Sequence, residues 1–110
     1  MVMDESAYQH LADRTLSRIE DAFKDVDADD VDVERSGDVV TLTLKGKSRC
    51  VLNTQRPTRQ IWLAANARAW HFSYDSDKDV WLDDKSADVE LFAKVADVVK
   101  EGAGVTIKVM

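Results

Sequence analysis

Apolar and polar positions divide the chain into a helix, a run of strands and a second helix. From Tyr8 onward, apolar or small residues recur at Leu11, Ala12, Thr15, Leu16, Ile19, Phe23 and Val26. This is the repeat of an amphipathic helix, about 3.6 residues per turn. The opposite stripe carries Asp13, Arg14, Ser17, Glu20, Asp21 and Lys24. Ser6 with Gln9 fits a capping box and sets the start; the end is expected near Asp25 to Ala28, where acids crowd. From Val31 the period changes to two. Val31 and Val33 alternate with Asp32 and Glu34, and Val40, Leu42 and Leu44 alternate with Val39, Thr41 and Thr43. Further short strands are expected at Cys50 to Leu52, Gln60 to Ala64, Trp70 to Asp75 and Val80 to Leu82, joined by turns such as Ser36-Gly37-Asp38 and Lys45-Gly46-Lys47. Short turns imply an antiparallel meander. A second helix is expected from a Ser86 cap, with Val89, Phe92, Val95, Ala96 and Val99 as its stripe and Gly102 and Gly104 at its end. The tail, Val105 to Met110, reads as a short strand or an extended cover for the core.

Helix, strands, helix is the order of an α+β fold, expected as one domain over residues 1–110. Two amphipathic helices, N- and C-terminal, can pack on one face of a single antiparallel sheet and leave the other face bare. That prospect gives one stretch special weight. In Gln60 to Ala64, Ile61 and Leu63 point to one face and Gln60, Trp62 and Ala64 to the other. If the Ile/Leu face is the core, Trp62 meets water beside a glutamine, forgoing about 2 kcal/mol of burial. Such an indole has another use, or else a neighbouring loop covers it, or the two faces are reversed. Pro57 removes a backbone donor and suits an edge or turn. Asn53 and Gln55 can present amides on the same surface as Trp62.

Composition narrows the function classes. The chain has 110 residues, 45% hydrophobic and 33% charged, as expected of a soluble globular protein with a modest core. The one cysteine, Cys50, allows no intramolecular disulfide and points to a reducing compartment. Nothing at the N-terminus resembles a secretory or organellar leader, and no apolar run reaches bilayer-spanning length. The net charge of −6 is unevenly spread: residues 1–34 hold 11 acids against three bases, leaving −8, and the remainder carries +2. That dipole argues against nucleic acid, which needs clustered Lys and Arg, and favours cations or a basic protein surface.

The acids crowd where the first helix should end: Glu20, Asp21, Asp25, Asp27, Asp29, Asp30, Asp32 and Glu34. Carboxylates at a helix C-terminus are unfavourable by about 0.3–1 kcal/mol each. A solvated acidic surface is the simplest explanation; an open cluster for hard cations, weak and poorly selective, is the other. A calcium EF-hand is excluded, since Asp30 stands where that loop needs glycine and Ser36 where it needs glutamate. No nucleophile triad, phosphate loop or zinc spacing is present, so no enzyme is expected. His10 and His71 are expected to be structural or merely exposed, with His10 near Asp13 as a weak candidate for an additional metal ligand.

Asn53, Gln55, Pro57, Gln60, Trp62, Leu63 and Ala64 form the pattern N-x-Q-x-P-x-x-Q-[IV]-W-L-A. With the acidic first helix, His71-Phe72, Trp81 and the closing helix, this resembles the frataxin family, bacterial CyaY type, over nearly the whole chain. The resemblance implies a frataxin-like α-β-sandwich and weak, reversible binding of iron (Fe²⁺/Fe³⁺) by Glu20, Asp21, Asp25, Asp27, Asp29, Asp30 and Asp32. It implies modulation of iron–sulfur cluster assembly, with docking on a cysteine desulfurase–scaffold complex through Asn53, Gln55, Gln60 and Trp62. Iron chaperoning or storage is the alternative; ferroxidase catalysis is not favoured, because exposed carboxylates offer no dry, preorganised site. A bacterial cytoplasmic monomer that can oligomerise with excess iron is implied, with no nucleic-acid or membrane partner. Two departures stand out: Lys24 where the family tends to carry an acid, and Asn66-Ala67-Arg68-Ala69 where glycines are usual.

Overall fold

The computed structural model describes residues 3–110. Its first helix, α1, spans Glu5–Asp21 and buries Tyr8, Ala12, Thr15, Leu16 and Ile19, the expected stripe. The cap is Asp4 rather than Ser6: the Asp4 carboxylate accepts the Ala7 N–H at 2.7 Å, and Ser6 lies inside the first turn. The helix also stops earlier than expected. The N–H groups of Phe23 and Lys24 bond three residues back, to Glu20 and Asp21, so the chain tightens and leaves the α-helix just where negative charge accumulates against the dipole. Asp27 then shapes the loop. Its side chain accepts from the Asp29 N–H at 2.9 Å and its carbonyl from Asp30 and Val31.

Six strands follow: β1 Val31–Ser36, β2 Val39–Leu44, β3 Arg49–Gln55, β4 Gln60–Ala65, β5 Arg68–Asp75 and β6 Val80–Asp83. They form one antiparallel sheet in chain order, the expected meander. One face is apolar. Across it the register aligns Val40, Leu52 and Leu63 with Trp70, and places Cys50 between Leu42 and Ala65. Cys50 is buried, and burial pushes its thiol pKa up to about 12, so it stays neutral and packs as a small apolar group. The second helix, α2, spans Leu91–Ala103 and buries Leu91, Val95, Val98 and Val99 on the same face as α1. Its cap is Glu90, whose carboxylate accepts from Phe92 and Ala93, not Ser86. Ser86 belongs to a return loop that the Leu82–Glu90 bridge and the Asp83-to-Val89 bond tie down before the helix can begin. Gly102 lies within α2, where a Cβ would stand 2.3 Å from Leu44 Cδ1; Gly104, at φ +69°, ends it. The tail forms no strand; Val105, Ile107 and Val109 lie half-buried against the core.

The hairpin between β4 and β5 turns on Asn66 and Ala67, both at positive φ (+54° and +61°). Two successive left-handed residues are the requirement of a tight primed turn, which glycine meets without strain and alanine does not. Ala67→Gly is therefore expected to stabilise the fold by about 0.5–1 kcal/mol, read as a raised midpoint in chemical denaturation.

Candidate functional site: the open sheet face and the acidic arc

With both helices on one side, the other face of the sheet is left open. The register lays side chains across it in rows. One row runs Val39, Asn53, Trp62, His71; the next runs Gln55, Gln60, Ser73, Leu82. Asn53, Gln55, Gln60 and Trp62 thus come from two neighbouring strands to one patch. The Trp62 indole is half-buried and outside the core, so the faces are as expected. What covers it in part is not a loop but His71, stacked on it with ring centroids 4.1 Å apart and planes within 13°.

Gln60 is more buried than its place on the open face suggests. It is only 8% exposed. Its carbonyl oxygen accepts the Trp62 Nε1–H at 2.9 Å, and its amide nitrogen donates to Ser73 Oγ at 3.1 Å and to Asp84. Both of its amide N–H donors are used and its oxygen is bonded to the indole, so it orients Trp62. Asn53 and Gln55 are half-buried on the same face. The indole consequently presents a ring face and edge, with its one polar hydrogen already used.

The link from β3 to β4 is a 3₁₀ turn, Arg56–Thr58, containing Pro57, with Arg59 left-handed at φ +55°. Tyr8 of α1 clamps it from behind. The Tyr8 hydroxyl donates to the Gln60 carbonyl at 2.6 Å and accepts from the Gln55 N–H at 3.0 Å. Burial raises its pKa, the largest of several effects, which keeps this donor protonated. Sequence reasoning missed the clamp because Tyr8 reads simply as one more apolar position; its period-matched place at the head of the stripe was the only signal.

The acids lie along an arc from the end of α1 through the loop into β1. Asp21, Asp25, Asp27, Asp29 and Asp32 are exposed, Glu20 and Asp30 half-exposed. Several have cationic neighbours. Glu20 is 3.4 Å from Arg35, which also meets Asp13 at 2.5 Å, and Asp30 is 3.9 Å from Lys45. Asp21 and Asp25 line a cleft of about 330 Å³ with Arg18, Lys24 and Lys108. Among the described residues, no three His, Cys, Asp or Glu side chains gather closely enough to hold a metal ion together. The donors are hard oxygens, which suit iron, but their spacing suits a hydrated cation held by one or two carboxylates rather than a closed cage. His10 is exposed and joins no such group. No helix among the described residues is long and apolar enough to cross a membrane.

A single antiparallel meander, padded by two helices on one face and open on the other, with an acidic arc at its flank, defines the class: a two-layer α-β-sandwich of frataxin type. The frataxin-like domain family matches residues 1–105, and the chain belongs to that family. Among similar proteins, the iron-sulfur cluster assembly protein CyaY of Pseudomonas fluorescens (strain Pf0-1) is 36% identical over 104 residues, covering 94% of this chain and 93% of that protein. The protein of the same name from Delftia acidovorans is 36% identical over 109 residues, covering 96% of each. In structure, the frataxin of Psychromonas ingrahamii superposes with a TM-score of 0.88 at 26% identity, covering 98% of this chain and 99% of its own. A trimeric frataxin from Saccharomyces cerevisiae in a ferrous complex shares the fold, with a TM-score of 0.68 at 23% identity and 96% and 90% coverage.

Proposed function

We propose that this protein is a non-catalytic iron–sulfur cluster assembly factor that docks on a cysteine desulfurase–scaffold complex and carries weakly bound iron on its acidic arc. The observation that carries the reading is the indole of Trp62, held rigid on the helix-free face by Gln60 and His71. An immobilised aromatic loses little entropy on binding and is the side-chain type that dominates protein interfaces. The naming of the bacterial relatives supplies the pathway. The charge dipole supplies a steering force: an acidic end seeks a basic groove while the flat face meets the second component. The single, buried cysteine fits a reducing compartment such as the bacterial cytoplasm.

The test is direct binding. The full chain, titrated into purified desulfurase–scaffold complex, is expected to bind saturably and to change the rate of cluster assembly; a complex that ignores it sinks the proposal. Iron binding is separable. Asp27, Asp29 and Asp30 changed together to asparagine are expected to weaken Fe²⁺ binding in calorimetric titration by about tenfold or more, since each loses the charge a hard cation needs. Asparagine at 27 retains the oxygen that caps Asp29, and removing repelling charge should raise the thermal midpoint. Iron storage as the main role predicts instead many ions per chain, and the spacing of the carboxylates disfavours it.

A further inference from the structure

One strand of the sheet outruns its neighbour. β6 pairs only with Phe72 to Asp75 of β5, so Arg68 to His71 project past it. The His71 N–H donates to Asp83 Oδ1 at 3.2 Å, and its carbonyl accepts the Asp84 N–H at 2.9 Å. Backbone groups of an antiparallel strand alternate in direction, so Ala69, two residues earlier, aims its N–H and C=O toward the same side. There β6 has ended, and the space is a cleft of about 420 Å³ whose walls include Arg68, Trp70, Asp83, Lys85 and Ser86.

Two cations line this cleft, and a third lies against the Trp70 ring in its wall. Arg68 begins β5, Lys85 sits in the loop after β6, and Lys94 reaches down from α2. Arg68 Cζ lies 5.0 Å and Lys94 Nζ 4.8 Å from the centroid of the Trp70 ring. The ring attracts both, but cation–π contact of this kind offsets only part of the repulsion between like charges. Among the described residues, none of the three cations is in an ion pair. The one carboxylate in the wall, Asp83, is already engaged: it accepts from the backbone N–H groups of His71, Lys85 and Ser86. Asp84 nearby is bound to Gln60 and Ser73. The cleft wall therefore carries two cations against one carboxylate, and that carboxylate is turned to backbone N–H groups, which leaves net positive charge and free donors.

We propose that this cleft binds an oxyanion, a carboxylate or phosphate group, gripped by Arg68 and Lys85, with the Ala69 N–H and the Ser86 hydroxyl as neutral donors. The planar guanidinium of Arg68 can meet two anion oxygens at once. Lys94, outside the cleft lining, adds a half-buried charge against the Trp70 ring. The site is separate from the Trp62 surface and from the acidic arc, and it stands whether or not the docking proposal does.

The experiment is an NMR titration of the full chain with inorganic phosphate and, separately, succinate, at an ionic strength held constant with sodium chloride. Saturable shifts confined to the Ala69 and Ser86 amides and the Trp70 indole N–H are expected. Arg68→Gln and Lys85→Gln should each weaken them by about tenfold, the loss of one charge-assisted contact. Lys47→Gln, a cation in the β2–β3 turn, should leave them unchanged. Saturation by phosphate alone assigns a phosphate group, and by succinate alone a carboxylate. Shifts that grow linearly with anion, that spread over every lysine-bearing turn, or that persist in Arg68→Gln overturn the proposal.

Discussion

Leu63→Ala should lower the stability of the fold by about 2–5 kcal/mol, the range for removing a fully buried leucine. Leu63 has no solvent exposure and lies between Leu52 and Trp70 in the register, at the centre of the helix-covered face. Neighbours on both strands are themselves held by backbone pairing, so the cavity cannot collapse, and the upper half of the range is expected. A domain of this size has only about 5–15 kcal/mol in total. The change should therefore appear as a large drop in the midpoint of chemical denaturation. A drop below about 1 kcal/mol would mean that the position is not packed as described.

One residue earlier, the same substitution should do nearly the opposite. Trp62→Ala points from the other face, where the indole touches His71 and Gln60 but no part of the core. Its removal leaves an open surface, not an internal cavity, and frees a glutamine oxygen that water can reach. The fold should survive with a small change in midpoint. The proposed docking on a desulfurase–scaffold complex predicts binding weakened by about 30-fold or more, corresponding to about 2 kcal/mol for an aromatic anchor. Both quantities can be measured on one preparation, by denaturation and by calorimetry. Intact affinity in a folded Trp62→Ala variant would move the docking surface elsewhere.

These paired outcomes rest on the alternation of Ile61, Trp62 and Leu63, which was legible before any coordinates. So were the helix stripe from Tyr8 to Ile19, the meander order and the choice of the Ile/Leu face as core. Each depends on periodicity, and periodicity is a local property of the chain. The helix boundaries were less legible. Ser6 and Ser86 both satisfy a capping rule, yet Asp4 and Glu90 are the caps. Nothing near Ser86 in the chain announces that Leu82 will bridge to Glu90 and close the return loop, with its Ser86–Val89 turn, before the helix begins.

The site was legible in part. The residues of the patch could be named, but not their division of labour. Gln60 looked like a surface amide because glutamines usually are; Ser73 and Asp84, far along the chain, draw it inward. The acids could be counted, but their spread along an arc, and the cations Arg35 and Lys45 beside them, emerge only from folding.

The sequence by itself determined the two layers, the order of the strands and which side of each would face the helices, because burying apolar surface permits one solution for such a pattern. Only the tertiary structure decided what each polar group does. Hydrogen bonds and ion pairs act over a few ångströms between residues far apart in the chain, so the Tyr8 clamp, the Gln60 support of Trp62 and the cations around Trp70 exist only once the sheet has closed its register.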